Sequence, residues 1–430
     1  MKESLYNHFI DNGDTVVCFN AYKNSYMLIS KVLYTEFEIY KKNVEKLISI
    51  DKNFYNALID NGFIIEEDVN ERDCFISSRL DRRFSGKSYH VILNMTMDCN
   101  LRCWYCYEEH VSESNVRDEI VESLFKHLEK KIESNPFENL VFSFFGGEPL
   151  LQKEKILCIL NELKKMSKQW KFTLNVNFTT NGTLIDRDFL NFLKDLNVGF
   201  QITLDGNRAS HNKIRKYKDY LFGSFDRIIR SLQMINELLE NYQIALRINV
   251  SPQTLDGIFL LLPDIINVLN PTKSSIKIYK VWQVDEKLID ENIINDFVEA
   301  CQSHGFVCGY LNLDYCTSSC YADNYSQVVI NYNGLVYKCT ARKFNKKNSC
   351  GYLKSDGTIV WDFSKLINRM DVMLPERCLN CNILPVCPKP CSQTIIENDN
   401  VPCILNNHFT KEDYIIQTFN NKLIKKRYDK

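Results

Sequence analysis

An alternation of short apolar runs with amphipathic stretches, from residue 89 to residue 281, constrains the fold of this chain more than any other feature. Six candidate strands recur along it: His90–Met95, Leu140–Phe145, Leu174–Thr179, Val198–Leu204, Ile244–Val250 and Ile276–Val281. The intervening stretches have helical periodicity: Glu119–Ile132, Lys155–Lys168, Asp186–Leu196, Ser224–Leu239 and Leu255–Leu269. Because right-handed crossovers place helices outside a parallel sheet, the pattern predicts an α/β fold. Six units fall short of the eight of a complete barrel, so we expect a partial (β/α)6 TIM-like barrel.

The regions that flank this alternation differ from it in composition. The N-terminal region has two short candidate strands, Val16–Phe19 and Tyr26–Ile29, followed by apolar residues at helical spacing. The C-terminal region is rich in cysteine, glycine and asparagine and poor in apolar periodicity, which predicts a domain that depends on metal. We therefore expect a small α+β domain over 1–75, a polar linker over 76–88, the partial barrel over 89–305 and a cysteine-rich iron–sulfur domain over 306–430.

Seventeen cysteines in 430 residues are the unusual part of the composition. The first residues lack the apolar core of a secretory signal, and no apolar stretch is long enough to span a bilayer. We therefore expect a cytoplasmic protein without a membrane partner, in which cysteines hold metal rather than form disulfides. The net charge of −1 gives no indication of a nucleic-acid partner.

Three of these cysteines follow the first predicted strand in the pattern C-x3-C-x2-C. They are Cys99, Cys103 and Cys106, and the aromatic residue Tyr105 precedes the last of them. Iron–sulfur and structural zinc sites normally close with four ligands. Three thiolates on one loop would leave one iron of a 4Fe–4S cluster free to bind a cofactor or substrate.

This motif resembles the signature of the radical S-adenosylmethionine (radical SAM) superfamily. The resemblance implies that Cys99, Cys103 and Cys106 hold a catalytic 4Fe–4S cluster whose open iron chelates S-adenosylmethionine. It further implies reductive cleavage of that cofactor to a 5′-deoxyadenosyl radical, which takes a hydrogen atom from the substrate. Such an enzyme needs an electron-donating partner, such as flavodoxin or ferredoxin.

Later strands end in further elements that are similar to those of the family. Gly146-Gly147-Glu148-Pro149 resembles its GGEP element, and we expect the glycines to allow close approach of the backbone to the cofactor. The resemblance implies a larger set of cofactor-binding residues at the strand ends: Tyr105, Gly146, Gly147, Glu148, Pro149, Thr180, Asn181, Thr203, Asp205, Arg215 and Asn249. Arg215 aligns with an arginine that holds the cofactor carboxylate in related enzymes.

The C-terminal cysteines resemble the SPASM domain, a seven-cysteine extension of certain radical SAM enzymes. The matching residues are Cys320, Cys339, Cys378, Cys381, Cys387, Cys391 and Cys403. The resemblance implies two auxiliary 4Fe–4S clusters, one held by Cys320, Cys339 and Cys391 and the other by Cys378, Cys381, Cys387 and Cys403. Cys316 is the candidate fourth ligand of the first, and the chain would carry three clusters in all. The cysteine pairs taken alone are also compatible with a zinc ribbon.

Auxiliary clusters offer a path for the electron that remains after hydrogen abstraction, which implies a net two-electron oxidation. Radical SAM enzymes with this domain mostly modify ribosomally made peptides, so we expect a peptide maturase that forms a thioether or carbon–carbon crosslink. Residues 1–75 either bind the precursor's leader, as a strand added beside Val16–Phe19 or Tyr26–Ile29, or form a structural cap.

Two other functions remain open at this stage. The first is an anaerobic sulfatase-maturing enzyme, which forms formylglycine. That family usually has an aspartate where this chain has Thr340, just after Cys339. The more distant alternative is a non-enzymatic zinc-binding scaffold.

Overall fold

The computed structural model describes residues 1–219, 222–285, 288–310, 320–387, 389–398, 400–405 and 409–428. Its contacts divide these residues into two compact units. The first unit contains the described parts of 1–84 and 371–420 together with Cys320, and the second contains those of 85–310, 321–370 and 421–428. Within the described residues, no helix is both long enough and apolar enough to cross a membrane.

The strands of the described residues are β1 (Lys2–Glu3), β2 (Asn7–Asn12), β3 (Thr15–Asn20), β4 (Ser25–Ser30), β5 (Ile64–Ile65), β6 (Ser88–Thr96), β7 (Leu101–Cys103), β8 (Asn139–Gly146), β9 (Thr173–Thr179), β10 (Asn197–Thr203), β11 (Arg215–Tyr217), β12 (Tyr242–Val250), β13 (Ser274–Lys280), β14 (Val307–Tyr310), β15 (Gln327–Ile330), β16 (Leu335–Tyr337), β17 (Gly351–Leu353) and β18 (Ile359–Trp361).

The α-helices of the described residues are α1 (Lys31–Tyr40), α2 (Leu47–Ile50), α3 (Lys52–Asp60), α4 (Glu71–Phe84), α5 (Asp118–Ser134), α6 (Lys153–Trp170), α7 (Arg187–Leu193), α8 (Arg208–Ile214), α9 (Phe225–Leu238), α10 (Pro252–Leu255), α11 (Leu262–Val268), α12 (Glu291–Ser303), α13 (Phe363–Met370), α14 (Glu376–Leu379), α15 (Ser392–Glu397) and α16 (Lys411–Tyr428). Short 3-10 helices cover Val44–Lys46, Pro149–Gln152, Ile258–Leu261 and Tyr321–Asp323.

The second unit is built on one large sheet with the strand order β14-β13-β12-β10-β9-β8-β6-β15-β16-β17-β18. From β14 to β15 all neighbouring strands are parallel, and the last three strands continue antiparallel. The predicted α/β class and the six predicted strands are confirmed. The alternation does not stop at residue 305 as predicted, because β14 and β15 extend the parallel region. Each has only four residues, too few for a recognisable apolar run.

Burial alternates along the central strands and gives the sheet two different faces. Phe144 and Phe178 stack at 5.1 Å between ring centroids, and Phe178 meets Phe189 of α7 edge-on at 5.3 Å. This face is therefore the apolar contact with the helices. The intervening residues, such as Ser143 and Asn177, are only partly buried and lie on the opposite face. The carboxyl ends of the parallel strands meet at one edge, where ligand sites of such folds lie.

The first unit contains the antiparallel sheet β2-β3-β4 with α1 to α3. The two predicted N-terminal strands are present in β3 and β4, which pair antiparallel with Val16 opposite Ile29. Both side chains join Phe37 and Leu58 in one buried cluster. Because β3 pairs on both sides, Val16–Phe19 is not a free edge, and that choice for strand addition was wrong.

The predicted linker over 76–88 is also wrong for most of its length, because α4 continues to Phe84. The helix buries Glu71, Phe75 and Arg83. Two of these three buried positions are charged, so the apolar periodicity that would reveal a helix is missing from the sequence. Glu71 is satisfied by the Ser4 hydroxyl at 2.7 Å and the Leu5 amide at 2.7 Å.

Candidate active site

The three cysteines of the C-x3-C-x2-C motif lie on the loop between β6 and α5, at the carboxyl end of the first barrel strand. β7 pairs antiparallel with β11, and this short ribbon sets Arg215 opposite Cys103. The Cys106 amide donates to the Cys103 carbonyl at 3.1 Å, which turns the loop back. The Cys99 thiol accepts from the Leu101 amide at 3.4 Å and from Asn181 Nδ2 at 3.7 Å.

The loop borders a cavity of about 990 Å³, including its open mouth. Eleven of the residues predicted from the sequence line it: Cys99, Cys103, Tyr105, Cys106, Gly146, Gly147, Thr180, Asn181, Thr203, Arg215 and Asn249. Three others, Glu148, Pro149 and Asp205, are buried behind its wall. Residues that are separated by up to 150 positions are therefore brought together at the carboxyl edge of the sheet.

The two glycines of the Gly146-Gly147 pair allow two backbone segments to meet. A Cβ at Gly146 would overlap the Thr96 carbonyl oxygen, and one at Gly147 would overlap that of Asp98. The Gly147 amide donates to the Thr96 carbonyl at 2.9 Å. These glycines were predicted to allow close approach of the cofactor, but their nearest neighbours are the end of β6 and the start of the cysteine loop.

Glu148 joins the ends of β8 and β9. Its carboxylate accepts from the Thr180 hydroxyl at 2.7 Å, from the Asn181 amide at 2.7 Å and from the Leu150 amide at 3.0 Å. Complete burial raises the pKa of Glu148, while these three hydrogen bonds act in the opposite direction. The side chain therefore orients Thr180 and Asn181, which line the cavity.

A buried polar network lies on the opposite side of the cavity. Tyr105 donates its hydroxyl proton to Asp205 and accepts from Arg215 Nη1 at 2.7 Å and from Asn249 Nδ2 at 3.2 Å. Asp205 also accepts from the Asn249 amide at 2.9 Å, and Arg215 Nη1 lies 3.6 Å from its carboxylate. Arg215 Nε is buried without a hydrogen-bond partner among the described residues.

Sequence reasoning missed two supporting residues, of which His211 belongs to this network and Asn100 contacts Asn181. His211 Nδ1 accepts from the Asp205 amide at 3.1 Å, and its Nε2 pairs with the Ser224 hydroxyl at 3.0 Å. Burial lowers the pKa of His211 well below its ordinary value, so the ring is neutral. Asn100 accepts from Asn181 Nδ2 at 2.7 Å. The position of Asn100 inside the cysteine motif was an available signal, whereas His211 had none.

The donor set fits an iron–sulfur cluster and its cofactor. Burial raises the pKa of the Cys99 thiol to about 12 and that of Cys106 to about 11, so both are protonated thiols until a metal replaces the proton. The unpartnered Arg215 Nε supplies a buried donor for an anionic group. No group of three or more His, Cys, Asp or Glu side chains in the described residues is spaced for a single ion. A cubane cluster holds its thiolates farther apart than one ion does.

The C-terminal cysteines divide between the two units. Cys378, Cys381, Cys387 and Cys403 all belong to the first unit, and the pKa values of Cys378 and Cys387 are raised by burial and also by the nearby Cys381 and Cys403 thiols. The structure therefore groups the four ligands that were predicted for one auxiliary cluster. Of the other predicted set, Cys320 and Cys391 belong to the first unit and Cys339 to the second. Cys316 lies outside the described residues.

Thr340 is hydrogen bonded where a carboxylate would be expected in a sulfatase-maturing enzyme. Its hydroxyl pairs with that of Tyr321 at 2.7 Å, and its amide donates to the same tyrosine oxygen at 3.0 Å. The Tyr321 ring in turn meets the His90 ring edge-on at 6.2 Å between centroids. This position therefore presents two hydroxyl groups rather than an acidic group.

Together, the fold and the cavity define an α/β enzyme with its reaction centre at the carboxyl edge of a parallel sheet. Residues 93–262 match the model of the Radical SAM superfamily. These residues thus form a radical SAM domain, as the cysteine motif predicted.

Curated relatives include enzymes with different reactions. The Fe-coproporphyrin III synthase of Methanosarcina barkeri is 31% identical over 184 residues, which cover 43% of this chain and 41% of that one. The radical SAM cyclopropyl synthase TigE of Paramaledivibacter caminithermalis is 25% identical over 375 residues, covering 78% of this chain and 75% of TigE. A cysteine-type anaerobic sulfatase-maturating enzyme of Clostridium novyi is 25% identical over 393 residues, covering 76% and 97%.

Solved structures share the fold. Native anSMEcpe with bound AdoMet superposes with a TM-score of 0.57 at 19% identity, covering 79% of this chain and 97% of that one. Streptococcus suis SuiB bound to its precursor peptide SuiA has a TM-score of 0.52 at 13% identity, covering 92% and 97%. The chain is thus similar in sequence to a cyclopropyl synthase and to a sulfatase-maturating enzyme, and it shares its fold with a protein that binds a precursor peptide.

Proposed function

We propose that this enzyme is a radical SAM peptide maturase that oxidatively crosslinks a ribosomally made precursor through a thioether or carbon–carbon bond. The observation that carries the proposal is the single cavity lined by all three cysteines of the loop and eight further predicted cofactor residues. Its similarity to the cyclopropyl synthase TigE, which extends over most of both chains, supports a radical reaction that forms a carbon–carbon bond.

In this proposal Cys99, Cys103 and Cys106 hold the catalytic 4Fe–4S cluster. With S-adenosylmethionine bound, that cluster would supply a 5′-deoxyadenosyl radical able to take hydrogen from an unactivated carbon. Gly147, Thr180 and Asn181 form the cavity wall on one side of the cofactor. Arg215 contributes positive charge and the free Nε donor on the other side. Tyr105, Asp205 and Asn249 fix the direction of that guanidinium.

Two auxiliary clusters complete the proposal. Cys378, Cys381, Cys387 and Cys403 would hold one, and Cys316, Cys320, Cys339 and Cys391 the other. Burial raises the pKa values of Cys378 and Cys387, and the nearby Cys381 and Cys403 thiols raise them further, which supports the grouping of the four. A flavodoxin or ferredoxin is the expected electron donor.

The N-terminal sheet is proposed to bind the leader of the precursor at β4. The other outer strand, β2, is partly covered, because Asn382 Nδ2 donates to the Asn7 carbonyl at 3.0 Å. The side chains of Leu28 on β4 and of Val32 and Ile39 on α1 are exposed by 63%, 71% and 62%. Val32 and Ile39 are seven residues apart and share a face of α1, so an added strand could place apolar side chains against it.

Formation of formylglycine on a sulfatase is the second candidate, because an enzyme of that type is also similar over most of its length. The hydroxyl pair of Thr340 and Tyr321 favours crosslinking over this reaction. An acidic side chain, which could act as a base, is replaced there by groups that are neutral at physiological pH.

The test is anaerobic reaction of the reconstituted enzyme with reductant, S-adenosylmethionine and the peptides encoded beside its gene. We expect a product that is lighter by two hydrogens, about 2 Da, with fragmentation blocked between two residues. An aldehyde on a sulfatase-derived peptide, with the neighbouring peptides unchanged, would replace the proposal by the second candidate. Leu28→Asp should weaken binding of the leader, whereas Leu260→Asp, at a residue that is 69% exposed in the second unit, should not.

A further inference from the structure

Arg247 is a cavity residue to which the mechanism above gives no role. It lies on β12, two residues before Asn249, and lines the same cavity. Its Nε donates to Asn249 Oδ1 at 2.8 Å, and its guanidinium carbon lies 4.4 Å from the centroid of the Tyr279 ring. These two contacts hold the plane of the guanidinium and leave its terminal amino groups without a hydrogen-bond partner among the described residues.

The charge of Arg247 distinguishes it from the other cations of the cavity. Arg215 lies 3.6 Å from the Asp205 carboxylate, and Lys280 lies 2.5 Å from that of Glu291. Within the described residues, no carboxylate forms an ion pair with Arg247. Its side chain is nevertheless half-buried. A partly desolvated charge is costly unless it is paired, so the cavity is complementary to an anion at this place.

The planar guanidinium is suited to bidentate binding of a carboxylate. In a peptide substrate, that group is an aspartate or glutamate side chain or the C-terminal carboxylate. The carboxylate of the cofactor is a second source of the same chemistry. Arg247 precedes Asn249 by two residues, which places it roughly 6–7 Å further from the carboxyl edge of the sheet. The predicted cofactor residues cluster at that edge, so we assign the deeper part of the cavity beside Arg247 to the substrate.

We propose that Arg247 binds a carboxylate of the peptide substrate and thereby sets which residue faces the reaction centre. The peptide nature of the ligand rests on the proposed function. The substrate class is therefore a peptide with an acidic residue, or a free C-terminus, close to the modified position. Arg247 is a specificity-determining residue in this role.

The source of the carboxylate is tested by chemical protection in the reconstituted wild-type enzyme. Modification of Arg247 by phenylglyoxal is mapped by mass spectrometry in the enzyme without ligand and in the enzyme with S-adenosylmethionine. It is then mapped with the cofactor plus N-acetyl-aspartyl-glycinamide, and with the cofactor plus the asparaginyl counterpart of that probe. The proposal is supported if the aspartyl probe adds protection to that of the cofactor and the asparaginyl probe does not. Full protection by the cofactor alone, equal protection by both probes, or none by either overturns it.

Equilibrium dialysis of the same two labelled probes supplies a second measurement. The wild-type enzyme is expected to bind the aspartyl probe at least about tenfold more tightly than the asparaginyl probe, in line with a charge-assisted bidentate pair. Arg247→Met should abolish this preference and Arg247→Lys should retain part of it. Arg187→Met is the matched control, since Arg187 is 60% exposed and pairs with Glu237 at the surface. A preference that survives in Arg247→Met overturns the proposal. Both measurements report binding and not turnover, so they can be interpreted even if no crosslinked product is found.

Discussion

At the scale of single residues, the hydroxyl of Tyr105 joins three buried polar side chains into one network. Arg215, Asp205 and Asn249 all meet it, and none of the three is more than 7% exposed. Tyr105→Phe keeps the ring but removes the shared hydrogen bonds, which cost about 1–3 kcal/mol when broken in a buried site. We expect the dissociation constant of S-adenosylmethionine to rise about tenfold, measured by equilibrium dialysis on the reconstituted enzyme.

Trp104 provides the control for Tyr105→Phe. It is the preceding aromatic residue on the same loop, and 49% of it is exposed. Trp104→Phe should leave the affinity for the cofactor within about twofold of the wild type, a difference of under half a kcal/mol. An unchanged affinity in Tyr105→Phe would mean that the network does not orient Arg215.

His90 makes the stability of the second unit depend on pH. Burial, and to a lesser degree the positive charge of Lys338, lowers the pKa of His90 from 6.5 to about 4. Between these values the unfolded chain binds a proton that the folded chain does not, so the free energy of unfolding decreases as the pH falls. We expect a loss of about 1.5 kcal/mol between pH 6.5 and about pH 5, measured by urea denaturation.

His90→Gln separates this effect from the general acid sensitivity of the chain. Glutamine can keep the hydrogen bond to the Ser143 hydroxyl, which lies 2.9 Å from His90 Nε2, but it does not titrate. The variant should lose about 1.5 kcal/mol less than the wild type over the same interval. Equal losses in both proteins would show that His90 is not the group responsible.

At the scale of elements, the close meeting of β8 with the start of the cysteine loop depends on the absence of a side chain at Gly147. A Cβ there would overlap backbone rather than a movable side chain. Gly147→Ala must therefore displace one segment, and we expect a loss of cofactor affinity of at least tenfold, about 1.4 kcal/mol or more. Iron content and the dissociation constant of S-adenosylmethionine are the measurements.

Gly86→Ala is the matched control for Gly147→Ala. Its Cβ would come no nearer than 3.5 Å to its neighbours, which is an ordinary contact. Iron content and cofactor affinity should equal those of the wild type. If Gly147→Ala behaves in the same way, the backbone contact is not what fixes the loop.

The elements also show where sequence patterns carry information and where they do not. The six central strands were predictable because each carries apolar residues, consecutive or at alternate positions, over a stretch long enough to be recognised. The four-residue strands β14 and β15 are too short for such a pattern, and α4 buries charged residues in place of apolar ones. Site residues at strand ends were predictable from motifs. Arg247 was not, because a single polar residue inside a strand has no local signature.

At the scale of the whole molecule, it was not predictable from the sequence which segments of the chain form the first unit. Residues 1–84 and 371–420 are distant in sequence yet form one compact body. Asn382, which follows Cys381, donates to the Asn7 carbonyl of β2 and to His8 Nδ1, each at 3.0 Å. Tyr26 of β4 packs against Phe419 of α16 at 4.7 Å between ring centroids. Such pairings join distant segments through single side chains, which no local pattern reveals.

Because the N-terminal and C-terminal segments form one unit, we expect the proposed auxiliary cluster of Cys378, Cys381, Cys387 and Cys403 to depend on the N-terminal residues. Removing 1–84 deletes both acceptors of Asn382 Nδ2. It also deletes Arg83, whose Nη2 donates at 3.3 Å to the carbonyl of Val372, a residue that is only 5% exposed. We expect the shortened chain to hold at least about four fewer irons than the intact chain after reconstitution, the content of one 4Fe–4S cluster. Chemical iron and sulfide assays measure the loss. Full iron content in the shortened chain would mean that the C-terminal segment binds its cluster without the N-terminal sheet.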